Sequence, residues 1–352
     1  MCIRDRVKAA IEKVRKNVAQ YLGVSPSEIF FTSSGTEANN MAIFGSVTGM
    51  NLKHCITSPI EHHSILKPID YLSSKKIITK HEIKLDQKGN IIMESLVYLL
   101  KKYLDALVCL THANSEIGNL NAIDEISNLC QKYQAICMID AIQTVGFYTF
   151  LLQKFPIHFL TASAHKFHGP KGIGFLYINK EIMVKVRPLF FGGSQENNMR
   201  AGTECVANIV GLGKALSVAQ ENKSEINSQL QSLKLYAIKM LQSEIPLIRF
   251  NGESSKSEKS INKIISISLP SVVEQAMMLY YLDIQGIAVS AGSACTSGTY
   301  TQSHVLSHLE IPQGYISIRL SFSKMNKRQE IENFVSLLKS KIHSLNIQIK
   351  NT

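Results

Sequence analysis

Two side chains of this sequence have types and spacing that suggest covalent chemistry: Asp140, which ends the apolar run AICMID, and Lys166, in SAHK. A lysine amine condenses with a carbonyl, and a carboxylate pairs with a protonated ring nitrogen. Polar residues gather around both. Gln143 follows Asp140 by three positions, Ser163 and His165 precede Lys166, and the glycine-rich GPKGIG (169–174) comes next. Farther upstream, FTSSGTEANN (31–40) reads as strand, glycine turn and helix start, with Gly35 and Thr36 in the turn. Small residues there let backbone N–H groups approach a phosphate at a helix N-terminus. Each feature alone has a plainer use: Ser, Thr or Gly before a helix caps it, and so does a strand-end Asp.

The combination says more than its parts. Pyridoxal phosphate needs a lysine for its Schiff base and a carboxylate for its pyridine nitrogen. It also needs donors for the phosphate and the ring hydroxyl. Asp140, then Lys166 one βαβ unit later, supply the first two, and Thr36, Ser163 and His165 supply phosphate donors.

These residues must be held by a sheet. The apolar spacing of Val7, Ile11, Val14, Val18 and Leu22 predicts an amphipathic helix over 7–22, ended by Gly23. Short apolar strands then alternate with helices: 29–32, 106–111, 135–140, 159–163 and 172–178, with a helix over about 122–134. That alternation indicates an α/β sheet buried on both faces, whose ligands gather at the strands' carboxyl ends. After about residue 205 a long helix over 206–242 leads away, and polar residues 251–263 read as an exposed loop. Strand 264–269, helix 272–285, strand 287–290, strand 316–321 and a last helix make a smaller α+β unit.

DAIQ (140–143) followed by SAHK (163–166) resembles the cofactor-binding core of the class V aminotransferases, a fold-type-I pyridoxal phosphate family. FTSSGTEANN, TSPIEHHSI (57–65), THANSEIG (111–118), GGSQENNMRAGTE (192–204) and VSAGSACTSG (289–298) resemble motifs of one branch, the cysteine desulfurases of the NifS/IscS-like group. The likeness spans nearly the whole chain in order. GSAC discriminates best, because aminotransferase relatives lack a cysteine on that loop. The implied fold is a large pyridoxal-phosphate domain over 1–222 with a mostly parallel seven-stranded sheet, plus a small α+β domain over 223–352.

The resemblance also implies roles. Lys166 would bond to the cofactor, Asp140 would pair with its pyridine nitrogen, and Gln143 and Ser115 would contact it. Gly35, Thr36, Ser163 and His165 would bind its phosphate, and Thr203 would reach the phosphate of a neighbouring subunit, which implies a homodimer. His62 would stack on the ring and assist proton transfer. Arg319 and Asn114 would bind the substrate, the guanidinium gripping a carboxylate. Cys295 would take sulfur from L-cysteine as a persulfide, leaving L-alanine, and pass it to an acceptor protein for iron–sulfur cluster assembly, tRNA thiolation or thio-cofactor synthesis. Two features depart from the family. Ser115 stands where its members carry a second asparagine, and the strand and loop that precede the first helix in the family are missing, so the chain reads as N-terminally truncated.

Bulk properties bound the alternatives. The 352 residues, 45% hydrophobic, suffice for one large domain or two smaller ones. No run reaches the ~18 apolar residues of a membrane helix, and the first ten residues hold no apolar signal core. The seven cysteines are scattered without zinc spacing, which predicts reduced thiols in a cytoplasmic setting, an organelle matrix being the alternative. The net charge of +11 is spread along the chain, which argues against nucleic acid as partner. His304 and His308, four apart, lack a third ligand for a metal. The rival readings are another enzyme of the superfamily, such as an aminotransferase or selenocysteine lyase, and a partner-binding subunit.

Overall fold

The computed structural model describes residues 3–271, 275–291 and 303–350, which form two compact units. The first takes residues up to 84, 91–113 and 121–223; the second takes 85–90, 114–120 and 224 onward.

The first unit begins with α1 (Ile3–Leu22), β1 (Ile29–Thr32), α2 (Gly35–Met50), β2 (His54–Thr57), α3 (His63–Ser74), β3 (Thr79–Glu82), α4 (Met93–Lys102), β4 (Ala106–Thr111) and α5 (Ile123–Lys132). It continues with β5 (Ile136–Asp140), β6 (Phe159–Ser163), β7 (Gly174–Ile178), α6 (Lys180–Met183) and α7 (Val206–Glu221). Among the described residues these strands make one seven-stranded sheet in the order β1-β7-β6-β5-β4-β2-β3. β3, β2, β4, β5 and β6 run parallel, and β7 is antiparallel to both β6 and β1. This is the mostly parallel sheet that the sequence predicts.

Burial explains why these short segments are strands. Every residue of β1, β4, β6 and β7 is buried. Burying a Leu, Ile or Phe side chain contributes about 1.5–3 kcal/mol, which outweighs about 1–2 kcal/mol of backbone ordering per residue. Phe30, Ile43, Ile65, Leu107, Phe159 and Leu176 belong to one core in which α2 and α3 cover a face of the sheet. β2 and β3 escape sequence reading because HCIT is too short to show a pattern and the edge strand TKHE has no buried residue.

The second unit contains α8 (Lys223–Glu244), β8 (Arg249–Phe250), β9 (Ile264–Pro270), α9 (Gln275–Ile284), β10 (Tyr315–Ser321) and α10 (Arg328–Lys350). β8, β9 and β10 form an antiparallel sheet with β9 in the middle. Leu233, Ala237, Leu241, Ile267, Ile318 and Phe334 build its core. No helix of the described residues is long and apolar enough to cross a membrane.

Three expectations need correction. The helix expected over 206–242 is two helices, because Asn222 caps α7 with Nδ2 donating to Val218 O at 2.9 Å. The strand expected over 287–290 is a single bridge between Ser290 and Arg319. The polar segment 251–263 is not an exposed loop. Asn251, Glu253, Ser254 and Ser260 are buried, because they satisfy one another and the sheet. Asn251 Nδ2 donates to Ser266 Oγ at 3.0 Å, and Ser254 Oγ donates to Ser266 O at 2.8 Å. The buried Lys234 of α8 donates to Ser260 Oγ at 2.7 Å and Ile261 O at 2.9 Å.

Candidate active site

Sheet topology sets neighbouring strand ends side by side, and in the first unit those ends carry residues singled out in the sequence. Asp140 ends β5 and Ser163 ends β6, its parallel neighbour. A short helical turn, Ala164–Phe167, follows at once and carries His165 and Lys166. Asp140 is buried, and Lys166 and His62 lie near enough to act on its charge. Burial pushes the Asp140 carboxyl up, while the Ile142 N–H, the Asn39 amide and the His62 and Lys166 charges pull it down. Ile142 N–H donates to Oδ1 and Asn39 Nδ2 to Oδ2, both at 2.9 Å. Gln143, three residues on, is buried as well.

The helix start at 34–36 closes on this place. Ser34 caps α2, its side chain accepting the Glu37 N–H. Helix geometry leaves the N–H groups of Gly35 and Thr36 without intrahelical acceptors. Two glycines permit the approach. A Cβ on Gly35 would lie 2.2 Å from Ile142 Cδ1 and 3.4 Å from Ser163 Cβ. One on Gly174 would lie 2.5 Å from Ala162 O and 2.9 Å from the Ser34 carbonyl carbon. Ser163 Oγ and His165 Nδ1 are 2.9 Å apart, and Thr36 and His165 are exposed. First-turn amides, a hydroxyl and an imidazole thus converge as an anion would require.

His62 caps α3, with Nδ1 accepting the Ser64 N–H at 3.0 Å. Before it stands Glu61, a buried carboxyl that accepts from Ser58 Oγ at 2.7 Å and from Thr111 N–H at 2.8 Å. Thr203 is exposed on the loop before α7. That loop is tied down by Arg200 Nε, which donates to Glu37 Oε1 at 2.8 Å. It is also held by Glu196, whose carboxylate takes both Arg15 Nη1 (2.7 Å) and Nη2 (2.8 Å) and the Phe31 N–H (2.8 Å).

Asn114, Ser115 and Arg319 belong to the second unit. Asn114 is buried and its Oδ1 accepts the Glu116 and Ile117 N–H groups at 2.9 and 3.1 Å, as in an Asx turn. Arg319, on β10, donates from Nη1 to Ser115 O at 3.0 Å. Cys295 lies outside the described residues. Cys55, Cys109, Cys130 and Cys137 are buried, and Cys205 is exposed at the cap of α7. His304 and His308 sit at a short helical turn, the His308 Nδ1 hydrogen-bonded to His304 O at 2.7 Å.

Sequence reasoning missed four members of this site: Asn39, Glu61, Ser64 and Thr161. All are buried, and Asn39 joins two of the others, Ser64 and Thr161, to Asp140. Asn39, Glu61 and Ser64 lie inside the motifs FTSSGTEANN and TSPIEHHSI, but nothing local marks a buried polar side chain as paired rather than surface-facing.

The aminotransferase class-V family matches residues 3–334, and the chain belongs to it. The chain is 37% identical over 343 residues to the cysteine desulfurase IscS of Dictyoglomus turgidum, covering 96% of this chain and 85% of that protein. With the cysteine desulfurase IscS of Clostridium botulinum it shares 36% over 338 residues, 95% and 84% of the two chains. Among solved structures, a NifS-like protein aligns with a TM-score of 0.87 at 31% identity, covering 98% of this chain and 90% of that one.

Proposed function

We propose that the chain is a pyridoxal-phosphate-dependent cysteine desulfurase, converting L-cysteine to L-alanine with transfer of sulfur to Cys295. The observation that carries the reading is the buried Asp140 at the end of β5, in electrostatic contact with Lys166 just beyond the end of neighbouring β6. The donor set fits the cofactor: an amine, a buried carboxylate and first-turn amides freed by Gly35, close to Ser163. When bound, pyridoxal phosphate supplies the electron sink for loss of the substrate's Cα proton.

The residues divide the remaining work. Lys166 holds the cofactor through Nζ and serves as base for the Cα proton. Asp140 pairs with the pyridine nitrogen, and Gln143 and Ser115 contact the ring. Gly35, Thr36, Ser163 and His165 hold the phosphate, and Thr203 reaches the phosphate of the second subunit of a homodimer. His62 covers the ring and moves a proton. Arg319, its guanidinium oriented by Ser115 O, takes the substrate carboxylate with Asn114. Cys295 Sγ attacks the substrate sulfur, so that an S–S bond forms as the substrate's C–S bond breaks. Alanine leaves, and the terminal sulfur passes from Cys295 to an acceptor protein of the cytoplasm.

The test is to record the absorbance of the purified chain before and after L-cysteine, with alanine and sulfide assayed in the same tube. A yellow band that shifts, with equal alanine and sulfide under reductant, is expected. Lys166→Ala should lose the band, and Cys295→Ser should keep the band but lose sulfide release. Full turnover by Cys295→Ser would overturn the role of Cys295. A coloured chain that makes no alanine would overturn cysteine as substrate.

A further inference from the structure

Asp140 and His62 are joined by an unbroken line of hydrogen bonds through two side chains that the proposed reaction does not use. Asn39 Nδ2 donates to Asp140 Oδ2 at 2.9 Å and to Ser64 Oγ at 2.8 Å. Ser64 Oγ lies 2.7 Å from His62 Nδ1. The Ser64 backbone N–H points to that same nitrogen at 3.0 Å. On the other side of Asn39, Thr161 Oγ1 donates to Oδ1 at 2.6 Å. Asn39, Ser64, Asp140 and Thr161 are all buried.

The direction of every bond follows from what each group can do. A carboxylate only accepts, so Asn39 turns its amide nitrogen toward Asp140 and its oxygen toward the Thr161 hydroxyl. Both amide hydrogens are then used. Ser64 Oγ accepts one of them, and its single hydrogen is left for His62 Nδ1. A backbone N–H can only donate. The Nδ1 of His62 therefore receives hydrogen bonds from two donors and has no room for a hydrogen of its own. In the neutral ring the proton sits on Nε2.

We propose that Asn39 and Ser64 are positioning residues that hold neutral His62 in its Nε2–H tautomer, with Asp140 fixing the direction of the line. The proposal rests on the desulfurase reading for its consequence: a ring in this tautomer enters the reaction as a proton donor at Nε2. It also gives the Asp140 carboxylate a second task, acting on His62 through side chains to which the proposed reaction assigns no contact with substrate or cofactor.

Ring nitrogen shifts of the histidine-labelled full chain test this directly, with and without pyridoxal phosphate. The sequence has 11 histidines, and His62→Gln identifies the His62 signals by their loss. Over the pH range where the ring is neutral, a pyridine-type Nδ1 and a pyrrole-type Nε2 are expected. Ser64→Ala removes one of the two donors and should move both shifts toward the average of the two tautomers. Ser64→Thr, which keeps the hydroxyl, should restore them. A pyrrole-type Nδ1 in the unaltered chain would overturn the proposal, and so would wild-type shifts in Ser64→Ala. The shifts are read without substrate, so the tautomer can fail while cysteine still yields alanine, and the reverse failure is equally visible.

Discussion

Asn39 and Asp140 are 101 residues apart in the chain, and the Asn39 amide donates to the Asp140 carboxylate at 2.9 Å. The bond fastens the first turns of α2 to the end of β5. Asn39 also holds Ser64 and Thr161, so its loss takes one hydrogen bond from each of three buried polar partners at once. Leaving one such group unsatisfied costs about 1–3 kcal/mol. Asn39→Ala should lower the unfolding free energy from urea titration by at least that much, with a lower midpoint, and weaken retention of the cofactor's absorbance on dialysis. An unchanged midpoint would show that Asp140 is held without it.

Glu61 makes stability depend on pH. Burial pushes its carboxyl up to about 8 from the usual 4.5; the Asp140 charge adds to the rise, and the Ser58 hydroxyl and Thr111 N–H work against it. The folded chain keeps a proton there that the unfolded chain has lost. Its contribution to stability therefore falls as pH rises from about 4.5 to about 8. Glu61→Gln keeps the shape and cannot ionise. Urea midpoints of the two proteins should draw apart across that window, with Glu61→Gln the more stable at its upper end. Parallel curves would contradict a neutral Glu61.

The Arg15–Glu196 pair is the strongest ionic tie on the Thr203 loop. Both side chains are buried and the contact is bidentate, at 2.7 and 2.8 Å. Truncating one partner leaves the other charge buried, a cost of about 3–5 kcal/mol. Glu196 also sits at φ 46, followed by Asn197 at φ 54, so the side chain's hold keeps an unfavourable backbone in place. Glu196→Ala should lose this much in chemical denaturation, and limited proteolysis should cut near residue 196 first. A loss below about 1 kcal/mol, as for an exposed pair, would refute the assignment.

Lys234 predicts the opposite pH trend in the second unit. Burial lowers its amine to about 8 from 10.5, with Glu258 pulling the other way. The folded chain releases this proton before the unfolded chain does, so stability gains as pH rises from about 8 to about 10.5. Lys234→Met should lack that gain and should loosen residues 251–261 by removing the donor to Ser260 and Ile261. Amide exchange across that segment, compared at the two ends of the window, measures both effects.

Much of this protein was legible in the sequence, because strands buried on both faces announce themselves as short apolar runs. ALVCLT and FLTAS become β4 and β6 for that reason. Asp140 at the end of β5, and Lys166 three residues past the end of β6, stand out in the sequence because polar residues that close such runs lie at the edge where α/β sheets gather ligands. Composition misled over 251–263, where polar residues bury themselves by bonding to one another, and it gave no sign of β3, which has no apolar residue to reveal it. The site's inner wiring was decided only by the tertiary structure. Thr161 meets Asn39 across 122 residues, and Arg15 meets Glu196 across 181. No local pattern marks such pairs, since a buried polar side chain is distinguished from an exposed one only by the partner the fold brings to it.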